Sequence, residues 1–106
     1  MGQLVIAVYR PRPGREQELL AVARDHLPVL RRRGLVTDRV PVLMRAADGT
    51  LVEVFEWKDE AAVKSAHTDP AVREIWGRFD QACEFGCLSE LAEARERFPH
   101  FEPLTA

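Results

Sequence analysis

Three observations predict an α+β domain for this chain. Two amphipathic helical stretches alternate with extended ones in the order strand, helix, strand, strand, helix, strand. The first strand is apolar on both sides. The 106 residues, 46% of them hydrophobic with a net charge of −2, are enough for one core and too few for two.

Residues Gln3 to Tyr9 alternate Leu4, Ile6 and Val8 with Val5, Ala7 and Tyr9, so this strand expects cover on both faces. Pro11, Pro13 and Gly14 end it. Glu16, Gln17 and Glu18 then open a helix, acid at its positive end. Leu19, Leu20, Ala23, His26, Leu27 and Leu30 form its stripe, and Arg31-Arg32-Arg33-Gly34 closes it with a glycine cap. Pro28 inside the run costs a backbone bond or a kink. Val36 to Arg45 reads as a second strand with Val36, Val40, Val42 and Met44 on one face, and Pro41 points to an edge or bulge. Ala46-Ala47-Asp48-Gly49-Thr50 is a hairpin turn with Gly49 left-handed. Leu51 to Trp57 is the third strand, and Glu53 stands on its otherwise apolar face with Leu51, Phe55 and Trp57. Asp59 caps a short helix from Glu60 to about Ser65. Asp69-Pro70 starts another, with Val72, Ile75, Trp76, Phe79 and Ala82-Cys83 at helical spacing. Phe85 to Leu91 is a weaker fourth strand, and Glu93 to Arg97 one helical turn. The tail from Phe98 to Leu104 is too apolar to hang free and is expected on a surface or a neighbouring chain.

This order is the split βαβ arrangement of ferredoxin-like βαββαβ sandwiches, with both helices on one face of an antiparallel sheet. The second apolar face of the first strand then has no cover from its own chain, which predicts a homodimer burying the helix-free side of each sheet. A single domain spans residues 1–106, with residues 92–106 as a C-terminal extension.

Composition narrows the function. With 15 Lys plus Arg against 17 Asp plus Glu, and one basic run at Arg31-Arg32-Arg33, no nucleic-acid footprint is expected. No apolar run approaches the roughly 18–20 residues of a membrane span. The N-terminus lacks a signal pattern, so a cytoplasmic location is the expectation. Cys83 and Cys87 make no disulfide framework, and His26, His67 and His100 have no metal-ligand spacing to them, so neither metal nor cofactor is expected. Cys83 on the helical stripe reads as buried and inert, Cys87 as a small apolar strand residue. Asn is absent, Ser65 and Ser89 have no nucleophile-elbow context, and no phosphate-binding glycine loop exists.

Three segments carry a family likeness. Val8 to Gly14 runs from a strand into a Pro-Gly turn before a long helix. Leu51-Val52-Glu53-Val54-Phe55-Glu56-Trp57-Lys58-Asp59-Glu60 is a strand ending in Trp followed by acidic residues. Ala66-His67-Thr68-Asp69-Pro70 is a His, a short turn and a helix start, ten positions after Trp57. Together they resemble the dimeric α+β barrel superfamily, especially the antibiotic biosynthesis monooxygenase-like proteins. The resemblance implies a homodimeric α+β barrel holding a small apolar or aromatic molecule between sheet and helices. It also implies cofactor-independent oxygenase chemistry, in which a base deprotonates a phenolic substrate whose carbanion reacts with oxygen. Heme-degrading relatives use an Asn, a Trp and a His where this chain has Ala7, His67 and Gly77, so heme degradation is not implied. Of the Asn, Trp, Tyr and Arg used by quinone-forming relatives, only Trp57, Tyr9 and Arg45 have counterparts here.

The candidate catalytic residues are His67 and Glu53. His67, at the junction of the two short helices, either relays a proton or caps a helix. Glu53 becomes a base if it faces a cavity, and is a cross-strand ion pair with Arg45 if it does not. Trp57, Trp76, Phe79, Tyr9 and Arg45 are the candidate substrate contacts, with core packing as the competing role for the aromatics. His26 reads as a satisfied interior histidine. A cavity of about 300 Å³ or more with His67 inside points to a pocket enzyme, and a filled interior to a non-catalytic binding or structural barrel.

Overall fold

Alternation along the first strand sets the architecture. In the computed structural model, which describes residues 2–105, β1 (Gln3–Pro11) sits inside a five-stranded sheet because both of its edges are paired. It is followed by α1 (Glu16–Arg32), β2 (Val42–Arg45), β3 (Leu51–Trp57), α2 (Glu60–Ala66), α3 (Pro70–Ala82), β4 (Cys83–Gly86) and β5 (Glu102–Leu104). Two 3-10 turns, Leu88–Glu90 and Ala92–Arg95, lie between β4 and β5. The spatial order is β4-β1-β3-β2-β5, every neighbouring pair antiparallel. This α+β arrangement of five strands and three helices is compatible with a ferredoxin-like fold.

The register decides which side chains meet. Val5, Ala7 and Tyr9 of β1 stand opposite Phe55, Glu53 and Leu51 of β3, on the face that the helices cover. There α1 contributes Leu19, Val22, Ala23, His26, Leu27 and Leu30, and α3 contributes Val72, Ile75, Phe79 and Ala82. A side chain as enclosed as Phe79, 1% exposed, contributes roughly 1.5–3 kcal/mol through burial. The helix starts follow their capping residues: the Asp59 carboxylate accepts from the Ala62 N–H at 2.7 Å, and that of Asp69 from Ala71 and Val72 at 2.9 and 3.3 Å. The hairpin between β2 and β3 turns at Gly49, whose φ of 94° suits glycine.

Several expectations need correction. The second strand is four residues long instead of ten: Pro41 has no N–H for a ladder, and residues 37–41 run as a loop after a single bridge between Val36 and Trp57. Val40, placed on an apolar face by alternation, is 80% exposed. The fourth strand begins at Cys83 and stops at Gly86, so Cys83 belongs to the strand and Cys87 lies beyond it. The tail is itself a strand: Glu102 and Leu104 of β5 pair with Arg45 and Leu43 of β2. Pro28 is accommodated within an unbroken α1, leaving the Arg24 carbonyl without its usual helical donor.

The helix-free face differs most from expectation. Its own chain covers part of it: Leu91 packs with Val8, Ala46 and Val52, and Met44 and Phe101 close around them. The expectation that nothing in the chain covers this face therefore fails for part of it. Beside the covered part, Leu4, Ile6 and Val42 are 61%, 49% and 50% exposed. Among the described residues no helix is long and apolar enough to cross a membrane.

Candidate functional site

The register that puts Glu53 on the helix-covered face also puts it opposite Ala7 on one side and Leu43 on the other. It is 2% exposed, and two donors converge on one of its oxygens. The Tyr9 hydroxyl donates to Oε1 at 2.7 Å, and His26 Nδ1 lies 2.8 Å from the same atom. Behind them the indole N–H of Trp76 donates to His26 Nε2 at 3.2 Å. Four residues from β1, β3, α1 and α3 thus form one chain of hydrogen bonds through the core.

Donor and acceptor chemistry assigns the protons. An indole N–H can only donate, so His26 Nε2 carries a lone pair and Nδ1 carries the hydrogen. That imidazole is neutral, and it donates to Glu53. With Tyr9 donating as well, Oε1 accepts two hydrogen bonds. A buried carboxylate is costly without such donors. The rings are held from both sides: Tyr9 stacks on Phe79 at 4.5 Å, and His26 meets Phe79 and Phe55 edge-on at 5.0 and 5.5 Å. Burial, then the neighbouring Glu53 charge, pushes the Tyr9 hydroxyl well above 10.0.

The network opens at Glu53. Glu53 also lines a groove of about 270 Å³ between α1 and the loop before β2, together with Ala23, Arg24, Leu27, Pro28, Arg31, Val40 and Pro41. Among the described residues every buried side-chain polar atom has a hydrogen-bond partner. Among the described residues Oε2 accepts no hydrogen bond, so it is the carboxylate atom left to face the groove. The site is an anchored carboxylate at the floor of an apolar slot, able to accept a hydrogen bond or a proton from a bound molecule.

Of the residues read from the sequence, Tyr9, Glu53 and Trp76 join this network, and Phe79 backs it. His67 does not join: it is exposed at the C-terminal end of α2, its ring edge-on to Trp76 at 5.3 Å. Trp57 packs against Phe55 at 5.3 Å within the core beneath α2. Arg45 stands opposite Leu51 and pairs with Glu102 at 3.0 Å, which corrects the cross-strand pair with Glu53. Two-residue periodicity places Arg45 and Glu53 on the same face of the sheet, but Leu43 is the residue opposite Glu53.

His26 is the member that sequence reasoning left as a mere core residue. Its signal was a polar ring on an apolar helical stripe, matched by a lone glutamate on an apolar strand face. Cys83 is fully enclosed, and burial pushes its thiol up to about 11, away from the reactive thiolate. Among the described residues no group of three or more His, Cys, Asp or Glu assembles that could hold a metal. No protein-family model, curated protein or solved structure matches this chain.

Tyr9 is the single tyrosine, so its ionisation can be read by ultraviolet absorbance without interference. The folded protein is expected to show no tyrosinate until well above pH 10. Glu53→Gln should ionise at lower pH, because it removes the charge and keeps the burial. A raised pKa in the folded state means that this stability is full below the unfolded value and is lost as pH climbs through the folded one. Denaturant melts should therefore weaken above about pH 10. Tyrosinate at an ordinary pH in folded protein would contradict the network.

Proposed function

We propose that this chain binds a small aromatic molecule carrying an acidic O–H in the groove beside α1, with Glu53 as its hydrogen-bond acceptor and base. The observation that carries the reading is that Glu53, 2% exposed and anchored through Oε1, still lines a groove of about 270 Å³. Apolar walls from Ala23, Leu27, Val40 and Pro41 suit a flat ring. Tyr9 and His26 keep the carboxylate from turning away, so Oε2 meets the ligand preorganised. The base role goes to Glu53 and not to His67, which lies on the outer surface.

In this reading the chain is an antibiotic biosynthesis monooxygenase-like protein and acts as a cofactor-independent oxygenase. Glu53 Oε2 takes the O–H proton of the enol form of an anthrone-type ring, and the negative charge is shared between that oxygen and the conjugated C–H carbon across the ring. That carbon gives its electrons to dioxygen and forms a C–O bond; Glu53 returns the proton to the hydroperoxide, which loses water with the carbon's remaining hydrogen and leaves a new carbonyl. The second reading is a non-catalytic binding protein, favoured by the packing of Trp57 and Phe79 into the core clusters.

The test uses 2-naphthol and its methyl ether, 2-methoxynaphthalene, titrated calorimetrically. Glu53→Gln should weaken 2-naphthol about tenfold, the difference between a charged and a neutral acceptor, and leave the ether unchanged. Equal weakening of both, or no effect on either, would contradict the base. Oxygen uptake with anthrone that disappears in Glu53→Gln supports the oxygenase, and binding without uptake selects the non-catalytic reading.

The homodimeric α+β barrel belongs to the same proposal. Leu4, Ile6 and Val42 form an exposed apolar strip on this face, with Ile6 bordering the C-terminal segment that covers the rest. Two such strips face to face would bury one another, and residues 87–101 would flank the joint. Sedimentation at micromolar concentration should show a dimer, and Ile6→Lys a monomer with an unchanged circular dichroism spectrum. A monomeric parent protein would overturn the barrel.

A further inference from the structure

The rim of the Glu53 groove carries two arginines whose chemistry goes beyond a neutral ligand. Arg24 and Arg31 lie two helical turns apart on α1, with Leu27 and Pro28 between them on the same face. Each is tied down by one N–H only, and to a backbone carbonyl: Arg24 Nε to Thr105 at 3.0 Å, and Arg31 Nη2 to Arg39 at 3.1 Å. Among the described residues neither has a carboxylate partner, whereas Arg10, Arg12, Arg15, Arg33, Arg39, Arg45 and Arg78 all do. Among the described residues the one carboxylate lining the groove is Glu53, whose Oε1 is already claimed by Tyr9 and His26. The slot therefore has two positioned guanidiniums at its mouth, apolar walls and a proton acceptor at its floor.

Resting on the reading of Glu53 as the acceptor, we propose that the groove selects a hydroxylated aromatic carboxylate, its anionic group held by Arg24 and Arg31 and its O–H turned to Glu53. Guanidinium pairs recognise a planar carboxylate through parallel N–H donors, and the backbone ties fix both forks before the ligand arrives. The two cations also offset the repulsion between the ligand's anion and Glu53. They stabilise the phenolate left when the proton moves to Oε2. A neutral phenol uses the walls and the floor alone, and a cationic ring is opposed at the rim.

The experiment compares 6-hydroxy-2-naphthoate with neutral 2-naphthol by calorimetry at low salt. The parent protein should bind the carboxylate about tenfold more tightly or better, with the preference shrinking as salt is added. Arg24→Gln with Arg31→Gln should abolish the preference, so that the two ligands bind with equal affinity. Arg24→Lys with Arg31→Lys should retain part of it, since charge remains and the fork is lost. Both arginines are exposed, so folding is expected to survive, checked by circular dichroism. If both ligands bind equally and remain sensitive to Glu53→Gln, the anion selectivity is overturned and the base reading stands. If the carboxylate is preferred but Glu53→Gln changes nothing, the rim stands and the base falls. Binding of neither ligand overturns both.

Discussion

One buried carboxylate oxygen ties this molecule together. Glu53 Oε1 accepts from Tyr9 on β1 and from His26 on α1, and His26 in turn accepts from Trp76 on α3. A carboxylate in the core is tolerated only when its donors are in place, and each donor here has one geometry that satisfies it. A one-residue slip of β1 against β3 would turn Tyr9 to the other face, and a turn of α1 would carry His26 away. The network therefore links the sheet register to the seating of both long helices. Removing a single donor leaves a charge short of partners in the interior, which costs more than the bond itself contributes.

The same constraint gives the fold its chemistry. Because Oε1 is spoken for, the carboxylate is oriented, and Oε2 is the atom left for something from outside. Pro41 shortens β2, and the loop before it stands off from α1. Had the second strand run from Val36, a sheet edge would lie along the helix where the groove now opens. The slot owes its existence to a proline and its polarity to Glu53, Arg24 and Arg31.

The strand and helix order, both Asp caps and the Gly49 hairpin were legible because each depends on a local pattern: alternation, a stripe, a capping side chain. The limits of β2 and β4 and the existence of β5 were not, since short strands depend on partners distant in sequence. Pro41 was visible as an interruption, but whether it bulges a strand or ends one is settled by what β3 offers it. The cover over Val8 and Val52 was legible only in part: the apolar tail holding Phe101 had to lie on some surface, but which one has no periodic signature, and Leu91 reads as the end of a strand until its partners are known. For the site, Glu53 stood out as a charge among apolar neighbours, and Tyr9 and Trp76 as aromatics on the right faces. His67 attracted attention through its spacing from Trp57, which says nothing about which way a helix terminus turns. His26 and Glu53 were each odd alone, and only the packing of α1 on β3 makes them a pair.

The proton arrangement on His26 tests this account most directly. Nitrogen-15 NMR of the histidine side chains, with His26 assigned through a His26→Gln variant, reports which ring nitrogen bears the hydrogen. The account requires a proton on Nδ1, shared toward Glu53, and a bare Nε2 facing the Trp76 indole. A proton on Nε2, or rapid exchange between the two tautomers, would mean that Trp76 is not donating and that the Glu53 carboxylate is not held as described.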